Sequence, residues 1–108
     1  MKRTISSAVL VAMLLAASSS TASELDAGKA IFERECIACH GVGGDRPGTL
    51  QLGITRGADK ALLAERSDLS VAYIRHVVRH GLNSMPAFTP AGLTDTELNQ
   101  LAAYLTQH

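Results

Sequence analysis

Apolar residues recur at helical spacing along most of this chain, and nowhere do they alternate with the two-residue period of a strand. Gly28, Ile31, Phe32 and Cys36 line one side of a helix that Asp26 can cap and that runs from Ala27 to about Cys36 or Cys39. The glycine-rich stretch 41–57, which carries Pro47, reads as loop, and a loop that long in a small domain needs a functional reason. Residues 58–66 predict a short helix with Leu62 and Leu63 inward. A stronger helix begins after the N-cap Ser70, presents Val71, Ile74, Val77 and Val78 on one face, and stops at Gly81. After a loop from Leu82 to Leu93 with Pro86 and Pro90, Thr94 and Glu97 form a capping box for a last helix lined by Leu98, Leu101, Ala102 and Leu105. The pattern predicts an all-α fold without internal repeats.

The first residues have a different character. Lys2 and Arg3 precede an apolar run from Ala8 to Ala17 and then the small residues 18–23, the layout of a secretory signal peptide. The run is shorter than the roughly 20 residues needed to span a bilayer. Residues 1–23 are therefore expected to be removed, with cleavage after Ala22 or Ser23, leaving a single domain of residues 24–108 in the periplasm and no membrane span. The chain has ten basic and ten acidic residues, and losing Lys2 and Arg3 makes the mature part mildly acidic. No cluster of Lys and Arg suggests nucleic acid, and no polybasic or amphipathic segment suggests a membrane surface, so partners should be proteins.

The chemistry is concentrated in Cys36-Ile37-Ala38-Cys39-His40, a C-x-x-C-H sequence of the kind that attaches a c-type haem. On one helical turn, positions i, i+3 and i+4 share a face, so both thiols can add across porphyrin vinyl groups while His40 points at the iron. Three alternatives stand beside this reading. A zinc site needs four tetrahedral ligands, and adjacent Cys39 and His40 are poorly placed to serve one ion together. A thioredoxin-like dithiol belongs to a strand-turn-helix setting, whereas helix precedes Cys36. The plainest alternative is two buried or disulfide-paired cysteines beside an unrelated histidine. Haem also answers a packing need: with no Trp, two Phe and two Tyr, the domain is short of large side chains, and domains this small often require a staple. Haem-free protein is accordingly expected to be largely unfolded.

Met85 is the only methionine outside the leader, and it sits in Ser84-Met85-Pro86-Ala87-Phe88. Pro86 biases Met85 toward extended backbone, which suits a thioether held toward a metal. Met85 is thus the candidate sixth ligand. His76 and His80, one turn apart on the polar face of their helix, are its rivals and read as solvated surface; His108 reads as a disordered end.

Together, C-I-A-C-H, Pro47-Gly48, M-P-A-F and the terminal A-A-Y-L resemble a class I monohaem cytochrome c across nearly the whole mature chain. The resemblance implies three main helices, a short helix and loops wrapped around one covalently attached haem c. It also implies that His40 donates its outer ring N–H to the Pro47 carbonyl, and that Gly28 and Phe32 cross Leu101 and Tyr104. A narrower likeness, in Arg56-Gly57 and from Ala72 to Phe88, is to cytochrome subunits of p-cresol methylhydroxylase-type flavocytochromes; 57–68 is longer here. By that analogy Arg56 holds a haem propionate.

With haem attached at Cys36 and Cys39 and iron bound by His40 and Met85, no coordination position is open. The expected role is that of a one-electron carrier with no catalytic residues. It would accept electrons from a dehydrogenase, a flavoprotein oxidising 4-alkylphenols being one candidate, and pass them toward a respiratory acceptor. The exposed haem edge is expected to be ringed by Ile37, Val42, Met85, Pro86 and Ala87. Two other roles remain: a fixed subunit of a flavocytochrome dehydrogenase, or, if Met85 is not a ligand, an open-site haem sensor or peroxidase.

Overall fold

The computed structural model describes the backbone of residues 7–108 and side chains from residue 21 onward; Lys2 and Arg3, part of the expected leader, lie outside the described residues. Helices α1 (Ser7–Glu35), α2 (Ile37–His40), α3 (Pro47–Arg56), α4 (Val71–His80) and α5 (Asp95–Leu105) account for the architecture. Two 3₁₀ turns, Ala58–Lys60 and Leu63–Glu65, lie between α3 and α4. Among the described residues there is no strand, as the spacing of apolar positions required, and no helix is long and apolar enough to cross a membrane.

Two boundaries differ from the sequence reading. Helix α1 does not start at Asp26 but passes through it, because residues 7–27 contain neither Gly nor Pro and are rich in strong helix formers. The stretch 41–57 is not all loop: Pro47 at the first helical position opens α3, where its fixed φ suits a helix start and its missing N–H costs nothing. Helix α3 ends at Gly57, whose φ of 104° and ψ of 152° lie in a region essentially confined to glycine. The expected helix at 58–66 is divided into its two turns by Leu62, which is extended (φ −94°, ψ 108°).

Both later helices form as expected. The Ser70 side chain accepts a hydrogen bond from the Tyr73 N–H at 3.1 Å, capping α4. At α5 the Glu97 N–H donates to Thr94 Oγ1 (3.2 Å) and the Thr94 N–H donates to Glu97 Oε2 (2.9 Å), completing the capping box.

The core joins the C-terminal half of α1 to α4 and α5. Ile31 and Phe32 meet Ile74, Val78, Leu93, Leu98, Leu101, Ala102 and Leu105, all buried. At the crossing of α1 and α5, a Cβ on Gly28 would lie 2.7 Å from Tyr104 Cβ and closer still to the Gln100 carbonyl oxygen. One turn on, the Phe32 and Tyr104 rings pack with centroids 5.8 Å apart, so the helix crossing implied by the resemblance is present.

Candidate functional site

Helix α1 delivers the cysteine motif to the edge of this core. The Cys36 N–H donates to the Phe32 carbonyl at 2.9 Å, continuing the α1 ladder, and the His40 N–H donates to the Cys36 carbonyl at 2.8 Å. Cys36, Cys39 and His40 therefore occupy a single turn, as their spacing required. Cys36 packs against the apolar core, while Cys39 is exposed, and the two do not form a disulfide. Burial, with Glu35 and Cys39 nearby, pushes the Cys36 thiol up to about 11. A reactive dithiol needs the opposite shift, so the site lacks the electropositive surroundings of a thioredoxin-like centre. Among the described residues no group of three or more His, Cys, Asp or Glu is placed to hold a metal by itself, which disfavours zinc.

The His40 ring rests on the first turn of α3. A Cβ on Gly48 would lie 2.7 Å from His40 Cε1 and 2.8 Å from Nδ1, so only glycine lets the α3 backbone approach this closely. Burial lowers the His40 pKa, favouring the neutral imidazole that binds metals. Nδ1 is enclosed, which leaves Nε2 as the nitrogen available to iron. The implied hydrogen bond to the Pro47 carbonyl is not made here: Nδ1 is buried without a partner. The contact at this point is with Gly48 instead. Nearby, Thr49 Oγ1 donates to the Gly41 carbonyl at 2.7 Å, joining the start of α3 to the end of the motif.

Met85 is presented by a hydrogen-bonded turn. The Leu82 N–H donates to the Met85 carbonyl (3.1 Å), the Met85 N–H donates to the Leu82 carbonyl (2.9 Å), and Asn83 takes a positive φ of 52° between them. Gly81, with φ 75° and ψ 171°, brings the chain off α4 so closely that a Cβ there would lie 2.7 Å from the Met85 carbonyl oxygen. Arg79 secures the loop beyond: its guanidinium donates to the carbonyls of Phe88 (3.1 Å) and Leu93 (2.8 Å) and to Asp95 (2.6 Å). Met85 is half-buried and packs against the same apolar cluster as Cys36. The rivals His76 and His80 are exposed on α4, whose buried positions are Ile74 and Val78.

The residues present fit a porphyrin. Around the motif and the Met85 turn, large apolar side chains remain uncovered: Ile37 is 39% exposed, Val42 79% and Leu82 46%. A cleft of about 490 Å³ is lined by Leu52, Arg56, Tyr73 and Leu82 among others, and Leu82 ties it to Met85. A second cleft, of about 450 Å³, lies between Val42, Leu50 and Ala61. Neither cleft is lined by Cys36, Cys39, His40 or Met85. In the first cleft Arg66 is engaged by Asp68 through two bonds of 2.8 Å, whereas Arg56 has no ion pair among the described residues. Gly48, Gly81 and Arg79 escaped the sequence reading as site residues. The adjacency of Gly48 to Pro47 and of Gly81 to the methionine loop was visible, but nothing local marked Arg79 as a partner for carbonyls up to 14 residues away.

An all-helical domain with a C-x-x-C-H turn at the end of its first helix and a loop methionine after its fourth has the construction of a small covalent haem protein. Residues 23–105 match the family described as cytochrome c oxidase, cbb3-type, subunit III. The chain is 32% identical over 95 residues to the cytochrome c subunit of 4-cresol dehydrogenase (hydroxylating) from Pseudomonas putida, covering 87% of this chain and 72% of the relative. It is 34% identical over 84 residues to cytochrome c6 of Gracilaria tenuistipitata var. liui (78% and 72% covered). With cytochrome c6 of Thermosynechococcus vestitus it shares 33% over 99 residues (91% and 83%). No solved structure matches the chain. The chain belongs to the class I monohaem cytochromes c. Membership brings a covalently bound haem c and the role of electron carrier.

Proposed function

We propose that this chain is an exported one-electron carrier whose single haem c is attached through Cys36 and Cys39, with the iron bound by His40 and Met85. The observation that carries the reading is the joint placement of these groups. The motif occupies one turn, His40 is desolvated against Gly48, and Met85 packs on the same apolar cluster as Cys36. When bound, haem c supplies a one-electron couple at its iron, and a Met/His ligand pair sets that couple higher than a bis-His pair.

The protein's own residues then do three things. Cys36 and Cys39 fix the group covalently, so no equilibrium loses it. His40, whose pKa is lowered by burial, and the Met85 thioether would hold the iron and leave no position open to substrate or oxygen. Arg56, which has no acidic partner among the described residues, lines the cleft with a charge suited to a propionate. The mature domain is residues 24–108, with 1–23 acting as the export signal to the periplasm.

Likeness to a 4-cresol dehydrogenase cytochrome subunit supports a dehydrogenase as donor, a flavoprotein acting on 4-alkylphenols in particular, with a respiratory protein as acceptor. The same likeness supports a second reading, a subunit held permanently on that dehydrogenase, and co-purification at stoichiometric ratio separates it from a diffusing carrier. Ile37, Val42, Pro86 and Ala87 are exposed, and the remaining lysines, Lys29 and Lys60, do not form a ring that would steer acidic partners. Electron transfer followed by stopped flow should therefore vary little with salt, and a steep dependence would overturn apolar docking. The direct test of the proposal is the mass of the purified mature protein. It should equal residues 23–108 or 24–108 plus one haem, and separate Cys36→Ser and Cys39→Ser variants should each lose one thioether. A mature chain without covalent haem would refute the assignment.

A further inference from the structure

We propose that His76 and His80 form a second metal site on the surface of α4, a two-nitrogen chelate for a divalent first-row transition ion such as Cu²⁺ or Zn²⁺, separate from the haem iron. The residues are four apart on one helix, so they stand above one another on the same face. Their rings are stacked with centroids 4.3 Å apart and an interplanar angle of 24°. Both side chains are exposed.

The orientation of His80 is what a metal ligand requires. Its Nδ1 lies 2.8 Å from the His76 carbonyl oxygen. A carbonyl only accepts, so Nδ1 carries the proton and donates, and the lone pair is left on Nε2, facing away from the helix. A ligating histidine characteristically makes this kind of bond with its other nitrogen, which fixes tautomer and ring direction together. Two metal bonds of about 2.0–2.1 Å at a right angle place the donor nitrogens about 2.9 Å apart. Rings already facing each other at 4.3 Å reach that separation by tilting their outer edges together.

The local charge permits a cation. The pair lies in the second half of α4, toward the end where the helix dipole is negative. The flanking guanidiniums are drawn off toward α5: Arg75 donates to Asn99 Oδ1 at 2.6 Å, and Arg79 is held by Phe88, Leu93 and Asp95. No third His, Cys, Asp or Glu joins the pair among the described residues. The remaining positions on the ion are therefore filled by water or by a donor on another molecule. Imidazole donors favour Cu²⁺ over Zn²⁺ in the order general for first-row ions.

The test uses the intact haem-loaded protein, titrated with Zn²⁺ by calorimetry and with Cu²⁺ by electron paramagnetic resonance. One saturable site per chain is expected, with Cu²⁺ hyperfine structure from two nitrogens. Because linking two donors raises avidity by about 10²–10⁴-fold, His76→Ala and His80→Ala should each weaken binding by about a hundredfold or more, while His108→Ala leaves it unchanged. The visible haem spectrum reports whether each variant is folded. Absence of a saturable site, parent-like affinity in both α4 variants, or loss only in His108→Ala would overturn the proposal.

Discussion

Substituting Gly28 by alanine tests the helix crossing that organises the domain. The added Cβ would meet the Gln100 carbonyl oxygen, and it would lie 2.8 Å from the Gln100 carbonyl carbon and 2.7 Å from Tyr104 Cβ. Those are backbone and near-backbone atoms, so no rotamer change relieves the contact and α1 must move away from α5. Overpacking of this kind costs about 1–3 kcal/mol, and better helix propensity returns about 1 kcal/mol. The difference is at most about 2 kcal/mol, and because the contact is with backbone atoms the upper end applies, which for a domain of this size lowers Tm by roughly 8–16 °C. Gly53 is the internal comparison. It lies inside α3, where a Cβ would meet only Ala61 Cβ at an ordinary 3.5 Å. Gly53→Ala should therefore stabilise by about 0.5–1 kcal/mol through propensity alone. Thermal unfolding of the haem-loaded proteins by far-UV circular dichroism reads both. If Gly28→Ala melts at or above the parent temperature, or Gly53→Ala falls as far as Gly28→Ala, steric closure at the crossing is not what holds α1 to α5.

Gly81→Ala should strain the backbone at φ 75° by about 1–3 kcal/mol and displace the Met85 turn. The absorption band of methionine-ligated ferric haem should then fade on heating well before the helices melt. Thr94→Ala should cost about 1 kcal/mol by removing the α5 cap, measured by denaturant unfolding. Three carboxylates lie below their usual range: Asp68 through hydrogen bonds from Arg66 and Lys60, Asp95 through Arg79, and Glu97 through the Thr94 backbone N–H. Their folded pKa values are depressed, so their contribution is complete above about pH 4–4.5 and is lost as pH falls through the folded values. Melting temperature should decline below that point, and Asp95→Asn should flatten the decline.

Elements whose signals lie within a few residues were legible in the sequence. Ser70 and the Thr94 and Glu97 pair announced α4 and α5 because capping uses side chains three residues apart. The apolar faces of α4 and α5 followed from spacing, and so did the single turn holding Cys36, Cys39 and His40. Helix α3 was missed because its glycines outweighed the one favourable mark, Pro47 at the start. The unbroken length of α1 was missed because Asp26 looks like a cap, and a cap candidate does not stop a helix that already runs through it. Contacts distant in sequence were invisible for a different reason: the hold of Arg79 on Phe88 and Leu93, and the seat of His40 on Gly48, exist only once the chain has folded. The resemblance placed a Pro47 carbonyl beside His40, but Nδ1 lies buried without a partner.

The proposed role, electron transfer without catalysis, requires a closed iron site, and in that proposal Met85 closes it. The decisive measurement is the visible spectrum of the purified ferric protein beside that of Met85→Ala. The parent should show the weak band near the red edge of the visible range that marks methionine ligation, and the variant should lose it while binding carbon monoxide when reduced. A band that persists in Met85→Ala, or carbon monoxide binding by the parent protein at neutral pH, would contradict a His40 and Met85 axis and the carrier role built on it.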